Sequence, residues 1–296
     1  MNRSIEFSVP APAKLNHMLH ITGRRLDGYH LLQTLFQLLD FGDDIHFKAK
    51  PADTPSVALS QNLAEVPAPN NLITQAANIL RPYATQPYAV SISFTKRIPM
   101  GGGLGGGSSD AATTLLALNY LWGCHQTLAQ LAALGVQLGA DIPLFVMGRS
   151  AWASGIGEQL TPVDLPTYWF VVCHPNIHVS TAAVFAHPDL TRNSQETTIQ
   201  AAVDGHGHND CEPVVRRNYP EIAAMLDQLN TYGTARLTGT GACGFLTVQD
   251  AATARTLAKK LQQHYSTFVA QGVNVSPAYT SLNKFMNSNL SNQPPK

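Results

Sequence analysis

The sequence predicts an α+β protein of two lobes. Short apolar runs that are typical of strands are interspersed along the chain with segments whose apolar residues recur at helical spacing. A second series of strand-like and helix-like segments begins near Thr161. No sequence repeat of roughly 20–50 residues is visible. We therefore predict an N-terminal domain at 1–160, a C-terminal domain at 161–286 and a flexible polar tail at 287–296.

Each predicted element rests on its own apolar pattern. Residues 89–94 alternate apolar and polar side chains, which predicts a half-buried strand, whereas 71–80 show helical spacing after an asparagine that can cap a helix. The predicted strands are 5–9, 45–49, 89–94, 168–173, 245–248 and 268–273. The predicted helices are 71–80, 108–121, 128–138, 180–186, 221–229 and 251–263.

Composition and charge exclude several classes of protein. The formal net charge is zero, which argues against binding of nucleic acid through a dominant cationic field. No run approaches the roughly 18 apolar residues that span a bilayer, and 1–14 has no apolar run resembling a signal peptide. The four cysteines lie far apart without a CxxC pair, which favours reduced thiols. We expect a cytoplasmic protein that binds neither nucleic acid nor membranes.

The strongest local signal is the glycine-rich segment 96–118, KRIPMGGGLGGGSSDAATTLLAL. A predicted strand leads into it, six glycines follow, and a predicted helix leaves it. Glycines let successive backbone N–H groups converge on an anion, and a helix N-terminus adds unpaired donors and a favourable dipole. Ser108 and Ser109 can donate to phosphate oxygens or hold a magnesium ion. The segment therefore predicts a phosphate-binding loop.

Two better-known phosphate loops do not fit this segment. Gly101, Gly103 and Gly106 satisfy GxGxxG, but the acidic residue that a dinucleotide site needs about 20 residues later is absent. A Walker A loop is excluded because Gly107 stands where that loop requires lysine. A phosphate loop of a third kind remains.

Three segments, in order along the chain, resemble the motifs of the GHMP kinase superfamily. PAKLN at 12–16 resembles the first motif, the glycine-rich loop the second, and LTGTGACGF at 237–245 the third. ITGRRLDGYHLLQTLFQLLDFGD at 21–43, LGADIPLF at 138–145 and GVNVSP at 272–277 resemble the 4-diphosphocytidyl-2-C-methyl-D-erythritol kinases within it. The resemblance implies a two-lobed GHMP kinase fold, with an ATP-binding first domain and the active site in the cleft between the lobes.

The same resemblance implies a reaction. It is transfer of a phosphoryl group from ATP, with Mg²⁺, to the 2-hydroxyl of 4-diphosphocytidyl-2-C-methyl-D-erythritol in non-mevalonate isoprenoid biosynthesis. Asp141 is expected to be the base and Lys14 to lie beside it, although an Asp before a turn often serves as an Asx cap instead. The alternatives are another GHMP kinase (mevalonate, homoserine or sugar type), a non-catalytic nucleotide-binding regulator and, more remotely, a dehydrogenase. We expect a monomer or weak homodimer.

Binding residues also follow from the resemblance. The DGYH segment at 27–30 approaches the cytidine in that family, and Phe185 is assigned to stacking on the pyrimidine, although it could equally be a helix-core aromatic. The stretch 191–209 matches no motif. The expected substrate-binding residues are Asn16, Tyr29, His30, Ile156, Thr181 and Phe185, and the expected nucleotide-binding residues are Asn71, Lys96, Pro99, Met100, Gly101, Gly102, Gly103, Leu104, Gly105, Gly106, Gly107, Ser108, Ser109, Gly239 and Gly241.

Overall fold

Two long antiparallel strands form the centre of the fold. In this computed structural model, which describes residues 4–60, 67 and 70–291, β1 (Ile5–Arg24) pairs with β2 (His30–Pro51). The register shifts between Pro12 and Lys14 and again between Asn16 and Leu19. Such β-bulges redirect side chains and are common beside active sites. The PAKLN segment therefore lies in a locally irregular part of an otherwise regular hairpin.

The remaining elements of the described ranges are a mixture of strands and helices. A short 3₁₀ helix, Arg81–Tyr83, follows the first α-helix. The other strands are β3 Ser56–Leu59, β4 Tyr88–Thr95, β5 Ala151–Ser154, β6 Gln159–Pro162, β7 Trp169–His174, β8 Ala235–Leu237, β9 Gly244–Val248 and β10 Ser266–Val273. The helices are α1 Leu72–Leu80, α2 Gly106–Leu121, α3 Leu128–Gly135, α4 Ile142–Met147, α5 Thr181–Ala186, α6 Ile199–Val203, α7 Glu212–Asn218, α8 Pro220–Asn230, α9 Ala251–Leu261 and α10 Pro277–Ser291.

A single path of hydrogen-bonded strands runs through both lobes. Its order is β3-β4-β2-β10-β7-β9-β8, and β1 pairs with β2 beside this path. β10 makes the connection, because Gly272 and Val273 pair with β2 while Ser266 to Gln271 pair with β7. The predicted two-lobed α+β architecture is confirmed, and the lobes share one sheet.

Three of the four buried clusters among the described residues form the cores of the two lobes and their junction. The first core packs α1 and α2 against β1, β2 and β4 around Phe47 and Trp122. The second core packs α7, α8 and α9 against β7 and β9 around Met225 and Leu246. Between them, Leu15 of β1 is fully buried with Phe170 of β7 in a junction cluster. Because Leu15 lies between Lys14 and Asn16, this junction sets the position of the PAKLN segment.

The C-terminal helix α10 returns to the first lobe. Ala278 and Leu282 are buried in the first core, and the Phe285 ring stacks on the Phe7 ring with 4.0 Å between centroids. Helix α10 includes 287–291 of the predicted tail, and 292–296 lie outside the described residues. Flexibility of 287–291 stays a prediction. The boundary between two domains near residue 160 stays a prediction. Helix α10 lies after that boundary in the chain but packs on the first lobe.

The six predicted strands and six predicted helices all coincide with elements of the same type. Helix α3 ends at Gly135 instead of Leu138, because 136–138 form a turn. The pattern did not predict how far β1 and β2 extend, since His17, His20 and the polar turn at 25–29 interrupt the alternation. Also missed were β3, β5, β6, β8, α4, α6, α7 and α10.

His17 predicts how the fold responds to acid. Its half-buried imidazole lies edge-on to Phe170 and Phe245 and bonds Gln37 Oε1 at 2.6 Å. Burial lowers the pKa of His17 from 6.5 to about 4, and the Gln37 bond opposes this only in part. Between pH 6.5 and about pH 4, the unfolded chain therefore binds a proton at His17 that the folded chain does not. The free energy of unfolding falls as pH drops through this window, by up to about 3 kcal/mol.

Urea unfolding at pH 7 and pH 4.5 checks this expectation. A His17→Gln variant should lose much of the pH dependence that the parent protein shows, whereas the exposed His264→Gln control should keep it. An unchanged pH dependence in His17→Gln would show that other groups cause the acid sensitivity.

Candidate active site

A cavity of about 1040 Å³ lies between the lobes. This volume is at the upper end for small-molecule sites and can hold two ligands side by side. Its wall is formed by β1, β2, the glycine-rich loop and α5. Among the sequence-predicted residues, Lys14, Asn16, Tyr29, His30, Asn71, Lys96, 99–108, Asp141, Ile156, Thr181, Phe185 and Gly239 all line it.

Two predicted nucleotide-binding residues do not line this cavity. Ser109 is fully buried on the inner side of α2, and its hydroxyl has no hydrogen-bond partner within the described part of the chain. Gly241 is buried in the third motif, where its N–H donates to Thr238 O at 3.0 Å. Neither residue is therefore part of the cavity wall in this structure, because the helix directs Ser109 inward and Gly241 lies within a tight turn. Contact of either residue with a ligand stays a prediction.

Lys14 and Asp141 lie together on one wall of the cavity. Lys14 Nζ is 3.5 Å from Asp141 Oδ2, and the Lys14 side chain is only 4% exposed while that of Asp141 is 33% exposed. Asp141 directly precedes α4, yet its carboxylate makes no capping bond to that helix. The Asx-cap alternative is thus not what is observed, and this carboxylate remains accessible from the cavity beside a buried ammonium group.

Asn16 connects this pair to the rest of the protein. Lys14 and Asn16 are two residues apart on β1, and Lys14 Nζ donates to Asn16 Oδ1 at 2.6 Å. Asn16 Nδ2 donates to Thr34 Oγ1 at 2.8 Å, and the Asn16 N–H donates to Thr238 Oγ1 at 3.0 Å. Asn16 is therefore held from both lobes, because Thr34 belongs to β2 and Thr238 to the third motif. No sequence pattern predicted either threonine.

The glycine-rich loop is held by its carbonyl groups. Gly101 O accepts from Ala242 N at 3.0 Å, Gly102 O from Cys243 N at 3.2 Å, and Leu104 O from Lys14 N at 3.0 Å. Carbonyl groups directed into the protein leave backbone N–H groups for an anion, and α2 begins directly after the loop. The second and third motifs therefore form one unit through main-chain hydrogen bonds.

Gly103 provides a test of this loop. Its φ of +75° lies in the left-handed region, and a Cβ there would lie 2.2 Å from Thr238 O. Gly103→Ala must displace the loop, so we expect the KM for ATP to rise by about tenfold or more. Steady-state kinetics checks this, with Gly233→Ala as control because its added Cβ would meet only Leu246 Cδ2 at 3.6 Å. Unchanged kinetics in Gly103→Ala would mean that the loop conformation is not needed.

Lys96 is bound between two buried carboxylates. Its Nζ bonds Asp43 and lies 2.7 Å from Asp110 Oδ2, while Asp43 Oδ1 also accepts from Ile98 N at 2.8 Å. Burial raises the pKa of Asp110 to about 7, Lys96 opposes this shift, and the neighbouring Asp43 adds to it. Burial disfavours the Lys96 ammonium, but the two carboxylates outweigh burial and raise its pKa above the ordinary value. Asp43 was not predicted from the sequence.

The other end of the cavity carries two aromatic side chains. The His30 and Phe185 rings lie 5.1 Å apart at an interplanar angle of 34°. Tyr29 is 60% exposed at the rim, and Thr181 Oγ1 lies 2.9 Å from Thr240 Oγ1 of the third motif. Phe185 is half-buried and faces the cavity while its helix packs on the second core. Thr240 was also missed by the sequence analysis.

Comparisons with known proteins agree over most of the chain. The family models described as GHMP kinases N terminal domain and GHMP kinases C terminal match residues 71–149 and 186–267. A 4-diphosphocytidyl-2-C-methyl-D-erythritol kinase of Pseudomonas aeruginosa strain LESB58 is 50% identical over 94% of this chain and 98% of the relative. The chain belongs to the GHMP kinases.

Other relatives extend this result. A kinase of the same name from Chromohalobacter salexigens is 50% identical over 93% of this GHMP kinase and 94% of the relative. A crystal structure of 4-(cytidine 5′-diphospho)-2C-methyl-D-erythritol kinase matches with a TM-score of 0.79 and 32% identity, covering 90% of this chain and 99% of that chain. A crystal structure of the Methanococcus jannaschii mevalonate kinase shares the fold, with a TM-score of 0.63. It is 16% identical and covers 92% of this chain and 99% of that chain.

Membership in this family confirms the predicted fold and kinase class. As a GHMP kinase the protein is a phosphotransferase that uses ATP. Over the described ranges, the structure contains no helix with the length and apolar character required to cross a membrane.

Proposed function

We propose that this protein transfers the γ-phosphoryl group of ATP to the 2-hydroxyl of 4-diphosphocytidyl-2-C-methyl-D-erythritol, giving the 2-phosphate and ADP in non-mevalonate isoprenoid biosynthesis. One observation carries the proposal: a single cavity joins the glycine-rich loop, the Lys14–Asp141 pair and the His30–Phe185 aromatic end. A phosphate donor, a reacting hydroxyl and a nucleoside can therefore be bound in one continuous site. The near-complete match to kinases of this name supports the substrate assignment.

Asp141 is the general base in this proposal. Phosphoryl transfer needs positioning, neutralisation of charge and an acceptor for the hydroxyl proton. The Asp141 carboxylate is accessible from the cavity and is not used as a helix cap, so its oxygens can accept that proton. Asp141 and the glycine-rich loop line the same cavity, which supports a reaction in which the acceptor hydroxyl lies next to the bound phosphates.

Lys14 stabilises negative charge at the same place. Its ammonium group is almost fully buried, 3.5 Å from Asp141 Oδ2 and 2.6 Å from Asn16 Oδ1. A cation in a site of low polarity stabilises both the carboxylate and the oxygen that becomes negative as the proton leaves. Asn16, fixed by Thr34 and Thr238, holds the ammonium in position and offers an amide to the substrate.

The residues at the start of α2 fit a magnesium ion bound with the phosphates. Mg²⁺ prefers oxygen ligands and keeps few protein ligands in kinases, where phosphates supply others. Ser108 lines the cavity, and Asp110 Oδ1 is a buried carboxylate oxygen without a hydrogen-bond partner in the described structure. Ser108 and Asp110 would hold the ion. When bound, it would neutralise charge on the phosphate oxygens.

Measurement of ADP release tests the proposal most directly. A coupled assay should show ADP release that depends on the cytidylylated substrate and is near background with mevalonate, homoserine or galactose. Phosphorus NMR of the product should show a new phosphomonoester beside an intact diphosphate. Equal turnover of an alcohol lacking cytidine would favour another GHMP kinase activity, and no substrate-dependent turnover would favour a non-catalytic nucleotide-binding protein. We expect the active form to be a cytoplasmic monomer or weak homodimer.

A further inference from the structure

Arg192 lies behind the aromatic end of the cavity, in the stretch of chain that matched no sequence motif. It is on the connection between α5 and α6, and its side chain is half-buried and does not line the cavity. Its guanidinium nevertheless reaches the two aromatic residues that do line it, His30 of β2 and Phe185 of α5. An arginine that contacts the wall of a site from outside can position that wall.

All five N–H groups of this guanidinium have an acceptor. Nε donates to His30 Nε2 at 3.1 Å. Nη2 donates to the carbonyls of Phe185 at 3.0 Å and His187 at 2.8 Å, and Nη1 to those of Leu190 at 3.0 Å and Pro188 at 3.4 Å. The acceptors are one imidazole and four carbonyls, and none of them is a carboxylate. The arginine therefore ties the C-terminal end of α5 to the first residue of β2.

These contacts determine the protonation of His30. Arginine has donors and no acceptor, so His30 Nε2 must accept, and the neutral ring carries its proton on Nδ1. A doubly protonated ring would direct an N–H group at the Arg192 N–H group. Lysine could replace the charge of Arg192 but could not supply a rigid fork with five donors.

We propose that Arg192 is a positioning and specificity residue for the nucleoside end of the substrate, because it fixes the His30 ring in the Nδ1–H form opposite Phe185. The inference rests on the proposed function, since it concerns how that same site selects a cytidine-bearing substrate. A fixed neutral ring provides the nucleoside end with one defined hydrogen-bonding face instead of a mixture of tautomers. Substrate affinity then depends on a residue that touches no substrate atom.

The surrounding charges agree with this geometry. Burial lowers the pKa of His30, and the cations Arg192 and Arg24 lower it further. Arg24 itself lines the cavity and donates from Nε to Gly28 O at 3.2 Å. Removing the Arg192 charge should therefore raise the pKa of His30, even with Arg24 in place.

Kinetics of Arg192→Met provide the first test. We expect the KM for the cytidylylated substrate to rise by about tenfold or more, while kcat stays within about threefold and the KM for ATP within about twofold. The substrate KM of Arg192→Lys should lie between those of the parent protein and Arg192→Met, because a lysine restores the charge but not the five N–H donors of the guanidinium. Arg255→Met, which removes an exposed arginine of α9, is the matched control and should behave as the parent protein. An unchanged substrate KM in Arg192→Met would overturn the proposal.

Nitrogen NMR of histidine provides a second test that needs no activity. In the parent protein, His30 should show a protonated Nδ1 and an unprotonated Nε2, and its titration midpoint should rise in Arg192→Met. A His30→Gln variant identifies the signal. An Nε2–H form in the parent protein would overturn the proposal even if Arg192→Met did not fold. If the parent does not phosphorylate the cytidylylated substrate, the proposed function fails, while the NMR result still decides whether Arg192 fixes His30.

Discussion

Replacement of Asp141 by Asn is expected to lower kcat by about 10²–10⁴ while leaving the fold intact. The carboxylate accepts the hydroxyl proton in the proposed reaction, and an amide of the same shape cannot. Asp141 makes no helix-capping bond, so the substitution leaves α4 intact and removes only the ion pair with Lys14. Lys14 retains its 2.6 Å bond to Asn16 Oδ1 and stays in place. Single-turnover kinetics with saturating ATP measures the effect on the chemical step.

The control for this substitution is Asp164→Asn. Asp164 pairs with Arg149, its side chain is 75% exposed, and it does not line the cavity. This variant should keep the parent kcat and the parent thermal unfolding midpoint, and both variants should remain folded and keep the parent KM for ATP. A folded Asp141→Asn enzyme with full turnover would remove Asp141 from the mechanism.

Replacement of Lys96 by Met is expected to destabilise the protein by about 3–5 kcal/mol. Lys96 is the cation between Asp43 and Asp110, which are almost fully buried, and its loss leaves two neighbouring carboxylates uncompensated. The pKa of Asp110 is about 7 with Lys96 present, and it should rise further without that opposing charge. In the unfolded chain Asp110 is ionised at neutral pH, whereas in the folded variant it binds a proton more readily. The folded variant should therefore gain stability as pH falls and Asp110 takes up a proton. Urea unfolding at pH 8 and pH 6 measures both effects.

Two further variants separate this charge effect from general damage. Adding Asp110→Asn to Lys96→Met should recover part of the lost stability, because one of the two uncompensated charges is gone. Arg97→Met removes the adjacent cation, whose ion pair with Asp44 is about half exposed, and should change stability little. Equal losses in Arg97→Met and Lys96→Met would argue against the buried triad as the cause.

The sequence predicted most of the fold because helix and strand periods were clear where one face is buried. Residues 89–94 alternate as expected of a half-buried strand, and β4 covers them. The alternation fails in β1 at His17 and His20, because bulges and the site itself redirect side chains there. Function and regular patterning compete at these positions, so the length of the hairpin could not be predicted.

The sequence analysis could name those residues of the candidate site that lie in short motifs. The PAKLN segment, the glycine loop and an acid before a proline can each be recognised within a few residues. The sequence analysis could therefore name Lys14, Asp141 and most of the loop, which line one cavity. Thr34, Thr238 and Asp43 act through contacts across distant parts of the chain, as when Thr238 Oγ1 accepts from Asn16 N. No spacing rule encodes a pair 222 residues apart. Whether each predicted residue contacts a ligand stays a prediction.

The packing of α10 has a consequence for how the nascent chain folds. Translation runs from the amino to the carboxyl end, so 277–291 are synthesised after the whole second lobe. Until then the Phe7 ring lacks the stacked Phe285 ring, and Ser8 O lacks its bond from Ser281 Oγ. The earliest-made lobe can therefore complete its packing only after the second lobe has been synthesised.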